Sequence, residues 1–196
     1  MSLLEILAVL VTVAGIGLTA LRRVAGWPIS LAASLLYLLV FAQAHLWADS
    51  ALQIVFCLFL LKGWIDWSRA PRSETAVIVQ EANGYLLLRD GALAVPCGLA
   101  LGAALERWTN DPAPYTDAAL SVASIVGQLW TARRYMACWP LWIAIDSAYV
   151  VLFMIREMEP SAALYAVLVL LAAYGWSSWH RASRTPARRS GTRSGT

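Results

Sequence analysis

Residues 127–153 read GQLWTARRYMACWPLWIAIDSAYVVLF, and residues 15–41 read GIGLTALRRVAGWPISLAASLLYLLVF. Laid over each other at an offset of 112, they match without a gap at Gly127 and Gly15, Thr131 and Thr19, Ala132 and Ala20, and Arg134 and Arg22. Further along the same register, Trp139-Pro140 meets Trp27-Pro28, Tyr149 meets Tyr37 and Phe153 meets Phe41. Downstream, Ala163-Leu164 meets Ala51-Leu52, Gly175-Trp176 meets Gly63-Trp64 and Trp179 meets Trp67. Apolar runs match by chance at Leu and Ala, but they do not readily match at tryptophan, proline and glycine in one register. The chain therefore reads as two copies of one unit.

The solvent of that unit follows from composition. The 196 residues are 60% hydrophobic and 14% charged, with a mean hydropathy of +0.62. A soluble domain is about 45–50% apolar and about 25% charged. A chain this short has too much surface per residue to hide the excess in a core, so the apolar surface faces lipid. The apolar runs are long and continuous rather than short alternating segments, which means helices and not a barrel. Cys57, Cys97 and Cys138 show no CxxC spacing and read as small buried hydrophobes. With only His45 and His180 as histidines, no metal site and no cofactor is expected. The first apolar run has no basic residue before it, so no cleavable signal peptide is expected.

The spans fall at 3–21, 27–44, 49–67, 85–105, 116–134, 140–156 and 161–179. The expected fold is an all-α integral membrane bundle of seven transmembrane helices. Its units are 1–67, a first three-helix repeat; 68–115, a linker plus the fourth helix; 116–179, a second repeat; and 180–196, a basic tail expected to be disordered. The fourth span has the weakest pattern, with Arg89 and Asp90 near its start and Pro96 within it. If the N-terminus is outside, thirteen Lys and Arg lie on the inner side, and only Arg107 and Arg156 lie outside. Three spans per copy place each copy's ends on opposite sides of the membrane. The single fourth span restores the starting side and makes the copies parallel, a 3+1+3 plan known among transporters, with the substrate site at the repeat interface.

Helical spacing sorts the polar residues into stripes. Asp117, Ser121, Ser124 and Gln128 share one face of the fifth span, opposite Glu5, Val9, Thr12 and Ile16 in the first. Trp142, Asp146, Tyr149 and Phe153 share a face of the sixth, with Ser30, Ser34, Tyr37 and Phe41 as counterparts in the second. Asp49, Gln53, Phe56 and Leu60 share a face of the third, with Ser161, Tyr165, Leu168 and Ala172 as counterparts in the seventh. The deep polar residues thus belong mainly to the second copy. A carboxylate well inside a span costs about 2.5–3.5 kcal/mol on insertion scales, so Asp146 should face the bundle or a wet cavity. With Trp142 and Tyr149 beside it, it forms a candidate cation site. Gln128, Ser124 and Gln53 are candidates for substrate contact or for interhelical hydrogen bonds. Trp64, Trp67, Trp176 and Trp179 read as interface anchors, and Arg22, Arg23, Arg133 and Arg134 as topology signals.

SIVGQLWTARRYMACWPLWIAIDSAYVVLF (124–153), with ALY and the final GWSSW, resembles the second half of the Pnu-type vitamin transporters. WPISLAASLLY, ADSALQ and GWIDW are similar to the first half, so the resemblance covers about 15–67 and 117–179. It implies a SWEET-like fold in the bacterial inner membrane and facilitated uptake of a dephosphorylated vitamin, trapped afterwards by a cytoplasmic kinase. Nicotinamide riboside is the leading substrate, with thiamine or riboflavin as alternatives. It points to Gln128, Trp142 and Asp146 as binding residues, followed by Ser124, Tyr149 and Gln53. The sequence departs from the family at Ala137, where members commonly carry an acidic residue, at Pro140, and at Asp146, where some riboside transporters carry Asn. A carboxylate there suits a fixed organic cation, pyridinium or thiazolium, better than neutral riboflavin.

Two readings of other classes compete. An intramembrane lipid-modifying enzyme needs facing acid–base or metal groups, and Asp146 is the one deep candidate. A non-transporting assembly subunit predicts no central cavity. The expected partners are a vitamin, the bilayer and further copies of the chain, with no nucleic acid.

Overall fold

The computed structural model describes residues 3–43, 47–73, 76–110 and 112–184. These form seven helices: α1 (Leu3–Ala20), α2 (Gly26–Gln43), α3 (Trp47–Ser68), α4 (Gly84–Trp108), α5 (Pro114–Ala132), α6 (Cys138–Ile155) and α7 (Glu159–Arg184). Each lies within a few residues of its expected span. Among the described residues, α2, α4, α6 and α7 are long and apolar enough to cross a membrane by length and composition alone, and α1 carries a shorter apolar stretch, Ile6–Ala20. The other two helices carry more polar residues, among them Lys62 and Asp66 in α3 and Asp117, Ser124 and Gln128 in α5. The bundle turns its leucines outward: Leu10, Leu39, Leu58, Leu99 and Leu170 are all more than half exposed, as a lipid-facing surface requires.

The connection after α3 carries a short hairpin, in which Arg72–Ser73 (β1) pairs antiparallel with Ala76–Val77 (β2). Two expectations need correction. The first residues of the basic tail are helical, since α7 runs through Arg184; residues 185–196 lie outside the described residues. Cys138 is buried, as expected, but Cys97 is exposed on α4.

Local chemistry sets several helix ends. The Asn83 side chain accepts from the Tyr85 N–H at 3.0 Å and caps α4. Pro114 opens α5, where a missing N–H costs nothing. The helices α1, α5 and α6 end in left-handed residues at Arg22, Arg134 and Glu157, with φ of 59°, 62° and 57°. At each, the next N–H reaches back five residues: Arg23 to Leu18, Tyr135 to Trp130 and Met158 to Phe153. That is the Schellman arrangement, adopted here without glycine.

Contacts recur at the offset of 112. α1 touches α7, and α3 touches α5; the duplication exchanges these two contacts. Trp27 meets Trp67 edge-on at 5.4 Å, as Trp139 meets Trp179 at 5.2 Å, and Trp67 and Trp179 meet each other at 5.9 Å. All four indoles are at most 2% exposed. Trp67 donates its Nε1 proton to the carbonyls of Thr131 and Ala132, at 3.1 Å each. Trp67 and Trp179 are therefore core residues and not interface anchors, whereas Trp64 and Trp176 stay exposed. The tetrad depends on glycine: a Cβ at Gly63 would overlap the Trp27 ring, and one at Gly175 the Trp139 ring.

The fourth helix packs on α5, and its charges explain how it enters the membrane region. Asp90 is 6% exposed. It accepts from Arg89 at 2.7 Å, Arg133 at 2.9 Å and the Trp130 Nε1 at 3.1 Å. The ion that weakened this span in sequence is thus neutralised by its neighbour and by the end of α5. At the opposite end of the bundle, Asp117 pairs with Arg156 at 2.9 Å.

Gly175→Ala should lower stability by about 1–3 kcal/mol through overpacking. Gly17 has nothing within 4 Å of its would-be Cβ, so Gly17→Ala should be neutral or stabilise by about 0.5–1 kcal/mol. Melting temperatures of the two variants in one detergent check both signs.

Candidate binding cavity

A cavity of about 240 Å³ lies between the two halves, beside the tryptophan tetrad. Its wall comes from α1, α2, α3, α5, α6 and α7, and α4 contributes nothing to it. Four of the six residues expected from sequence line it: Asp146, Trp142, Gln128 and Gln53. Asp146 and Trp142 are one helical turn apart on α6, which puts a carboxylate and an indole on one wall. Asp146 is 5% exposed, and no hydrogen bond or ion pair to it occurs among the described residues. An unpaired carboxylate at this depth is costly, so the free side of Asp146 is offered to whatever occupies the cavity.

Trp142 is held from behind. Its Nε1 donates to the Thr131 hydroxyl at 3.0 Å, and that hydroxyl donates to the Gly127 carbonyl at 2.8 Å. Gly127 itself packs against the indole, with its would-be Cβ at 3.1 Å from the ring. The indole N–H is thereby used up, leaving ring surface to face the cavity. An indole face and a carboxylate together attract a cation.

The other two expected residues do not reach the cavity. Ser124 is buried, but its hydroxyl donates back to the Leu120 carbonyl at 2.8 Å, so its polarity is absorbed within α5. Tyr149 stacks on Phe153 at 5.8 Å and on Tyr165 at 4.6 Å. The reason lies in how the copies diverged. Tyr165 is the counterpart of Gln53, and it gives Tyr149 an aromatic partner at that position of α7. Tyr37 stacks on Phe41 at 5.9 Å and lines the cavity instead.

The first copy also contributes more than its sequence announced. Ser30, Ser34 and Tyr37 line the cavity, as do Thr12, Thr19 and Trp27. The Ser34 hydroxyl donates to the Gln53 Oε1 at 2.6 Å. The cavity is therefore not built mainly from the second copy. The signal was present: Ser30 and Ser34 are the counterparts of Trp142 and Asp146. A face that lines a shared interface in one copy lines it in the other. Among the described residues no Lys or Arg side chain is on the wall. Among the described residues no group of three or more His, Cys, Asp or Glu could hold a metal ion.

Comparison with known proteins agrees with this architecture. The family model described as nicotinamide mononucleotide transporter matches residues 2–181. The chain is 25% identical over 201 residues to the nicotinamide riboside transporter PnuC of Escherichia coli (strain K12), covering 88% of this chain and 84% of that one. It is 25% identical over 167 residues to the riboflavin/roseoflavin transporter RibM of Streptomyces davaonensis, covering 83% and 77%. The crystal structure of the vitamin B3 transporter PnuC shares the fold, with a TM-score of 0.76 and 18% identity over 91% of this chain and 80% of that one. These relatives are transporters rather than enzymes. The chain, a multi-pass membrane protein with a cavity between its two halves, belongs to the nicotinamide mononucleotide transporter family.

Proposed function

We propose that this transporter carries a dephosphorylated, cationic vitamin by facilitated diffusion, with nicotinamide riboside as the leading substrate. The observation that carries this reading is Asp146, without a partner among the described residues, beside the Trp142 ring in a cavity with no basic wall residue among them. A phosphate needs Arg, Lys or an array of free N–H groups; the charged group on the described wall is a carboxylate, which repels it. A pyridinium is attracted to both wall elements at once. The cavity, about 240 Å³, is also smaller than the roughly 300–1,000 Å³ typical of drug-sized ligands, which favours a single-ring nucleoside over a flavin. Thiamine carries a comparable charge and is the second candidate. The similarity to RibM keeps riboflavin in the comparison, although a neutral ring gains nothing from Asp146.

The paired contacts between α1 and α7 and between α3 and α5 support a parallel 3+1+3, SWEET-like arrangement, with the fourth helix as the linker. Arg22, Lys62, Arg69, Arg133 and Arg134 gather at one end of the bundle. We take that end as cytoplasmic by the charge rule, with the N-terminus outside in a bacterial inner membrane. Net uptake then follows from phosphorylation of the released vitamin by a cytoplasmic kinase, since the product no longer fits the site. A non-transporting subunit is disfavoured because the polar faces meet around a cavity rather than around packed neighbours.

A thermal-shift panel of the purified protein against nicotinamide riboside, thiamine, riboflavin and their phosphates tests the reading, since ligands that bind the native state raise its melting temperature. Nicotinamide riboside should give the largest shift and the phosphorylated forms none. Asp146→Asn should weaken binding of the cationic ligand by roughly tenfold, about 1.4 kcal/mol, and leave a neutral ligand unchanged; equal losses for both would sink the cation site. Calorimetry on two further variants tests the geometry. Gln128→Ala should cost about 3–10-fold in affinity, the worth of one hydrogen bond, while Ser124→Ala should stay within about twofold because its hydroxyl is occupied inside α5.

A further inference from the structure

We infer that Ser34 is a positioning residue that sets which end of Gln53 a ligand meets; this deepens the reading of the cavity given above. Ser34 on α2 and Gln53 on α3 both line the cavity, and Ser34 is 7% exposed. The Ser34 hydroxyl donates to the Gln53 Oε1 at 2.6 Å. That bond engages the carbonyl oxygen and fixes the amide's orientation, and the Gln53 N–H groups are the end left without a partner among the described residues. The counterpart of Ser34 in the second copy is Asp146, an acceptor-only group when ionised.

The two copies therefore place opposite chemistry at equivalent positions around one cavity. The α6 wall accepts hydrogen bonds and attracts positive charge. The α2–α3 wall donates. A ligand fits when it bears a cationic face at one end and a neutral hydrogen-bond acceptor, such as a carboxamide or hydroxyl oxygen, at the other. Without the Ser34 hydroxyl the Gln53 amide is free to rotate and to present either end, so the loss falls on acceptor recognition and not on the cation site.

The test is a double-mutant cycle read by calorimetry with nicotinamide riboside on the full-length protein, using Ser34→Ala, Gln53→Ala and the double variant. If Ser34 acts through Gln53, Ser34→Ala weakens binding by about 3–10-fold in the parent, the worth of one neutral hydrogen bond. The same change then has almost no effect once Gln53 is alanine. Ser34→Thr, which keeps the hydroxyl, recovers at least half of the loss on a logarithmic scale. Independent losses that simply multiply, or an unchanged affinity for Ser34→Ala, overturn the proposal while leaving the transporter reading intact. No binding by the parent protein overturns both. The melting temperature of each ligand-free variant shows that it is folded.

A separate observation supports a second inference: the segment 76–80 is a strap that closes the basic end of the bundle. The Val77 N–H donates to the Arg22 carbonyl at 3.2 Å, and the Gln80 N–H donates to the Arg134 carbonyl at 2.9 Å. Arg22 and Arg134 are counterparts in the duplication, so one unduplicated segment holds the same turn of both halves. Gln80 also accepts from the Met136 N–H at 3.1 Å. Val77 is 2% exposed and packs in the same cluster as Trp27, Trp67, Trp139 and Trp179. The halves cannot part at this end while both bonds and the Val77 contact hold.

Val77→Cys, in a background with Cys57, Cys97 and Cys138 replaced by alanine, reports on the strap in liposomes. A thiol reagent applied to the basic end should label it slowly without nicotinamide riboside and several-fold faster with it, because turnover must lift the strap. Gln80→Pro, which removes the N–H donor, should raise labelling without ligand. A labelling rate indifferent to both ligand and Gln80→Pro overturns the strap.

Discussion

Hydrocarbon offers a helix bundle neither hydrogen bonds nor a hydrophobic drive toward association, so close packing and internal polar pairing must do the work. The tryptophan tetrad is where the packing is closest, although of its four indole N–H groups only that of Trp67 has a hydrogen-bond partner among the described residues. Gly63 and Gly175 let Trp27 and Trp139 lie directly against α3 and α7. Trp67 and Trp179 then join the two halves through ring contact, and the Trp67 N–H reaches the backbone end of α5. The cavity begins where this packing ends, with Trp27 and Trp139 belonging to both the tetrad and the cavity wall. The structural core and the site are thus continuous, and the rigidity of one orients the other.

Against that rule of satisfied polarity, the ions sort into two kinds. Asp90 is answered three times, by Arg89, Arg133 and Trp130. Asp117 is answered by Arg156. Asp146 has no such answer among the described residues, although it is as deeply buried as Asp90. Burial alone therefore does not set Asp146 apart; burial without a partner, at a cavity wall, does. Trp142 shows the complementary case, an aromatic whose polar edge is tied to Thr131 so that ring surface remains for a ligand.

The internal match at an offset of 112 bears on the layout of this site. Matching faces of the two halves meet around the cavity and supply corresponding positions of its wall. Substitution at a few positions then differentiates it. The pairing of Ser34 with Asp146 gives one wall a hydroxyl and the other a charge. The pairing of Gln53 with Tyr165 draws Tyr149 into an aromatic stack, while Tyr37 stays on the cavity. Neither change disturbs the tetrad, which lies at positions where the copies remained identical.

Sequence alone carried the membrane class and the seven helices, because lipid exposure is a property of residue type and order. It also picked out Asp146, Trp142, Gln128 and Gln53, which line the cavity, since a polar residue deep in an apolar run has few places to point. It could not decide Ser124 against Gln128, which share a stripe, because the choice depends on whether a hydroxyl satisfies itself on its own helix. It could not separate Trp67 and Trp179 from Trp64 and Trp176, which end the same helices but face different ways. The contributions of Ser34 and Tyr37 became visible only when the two halves were brought face to face. Helical periodicity places a side chain on a face of its own helix; what that face meets across a bundle is settled by tertiary packing.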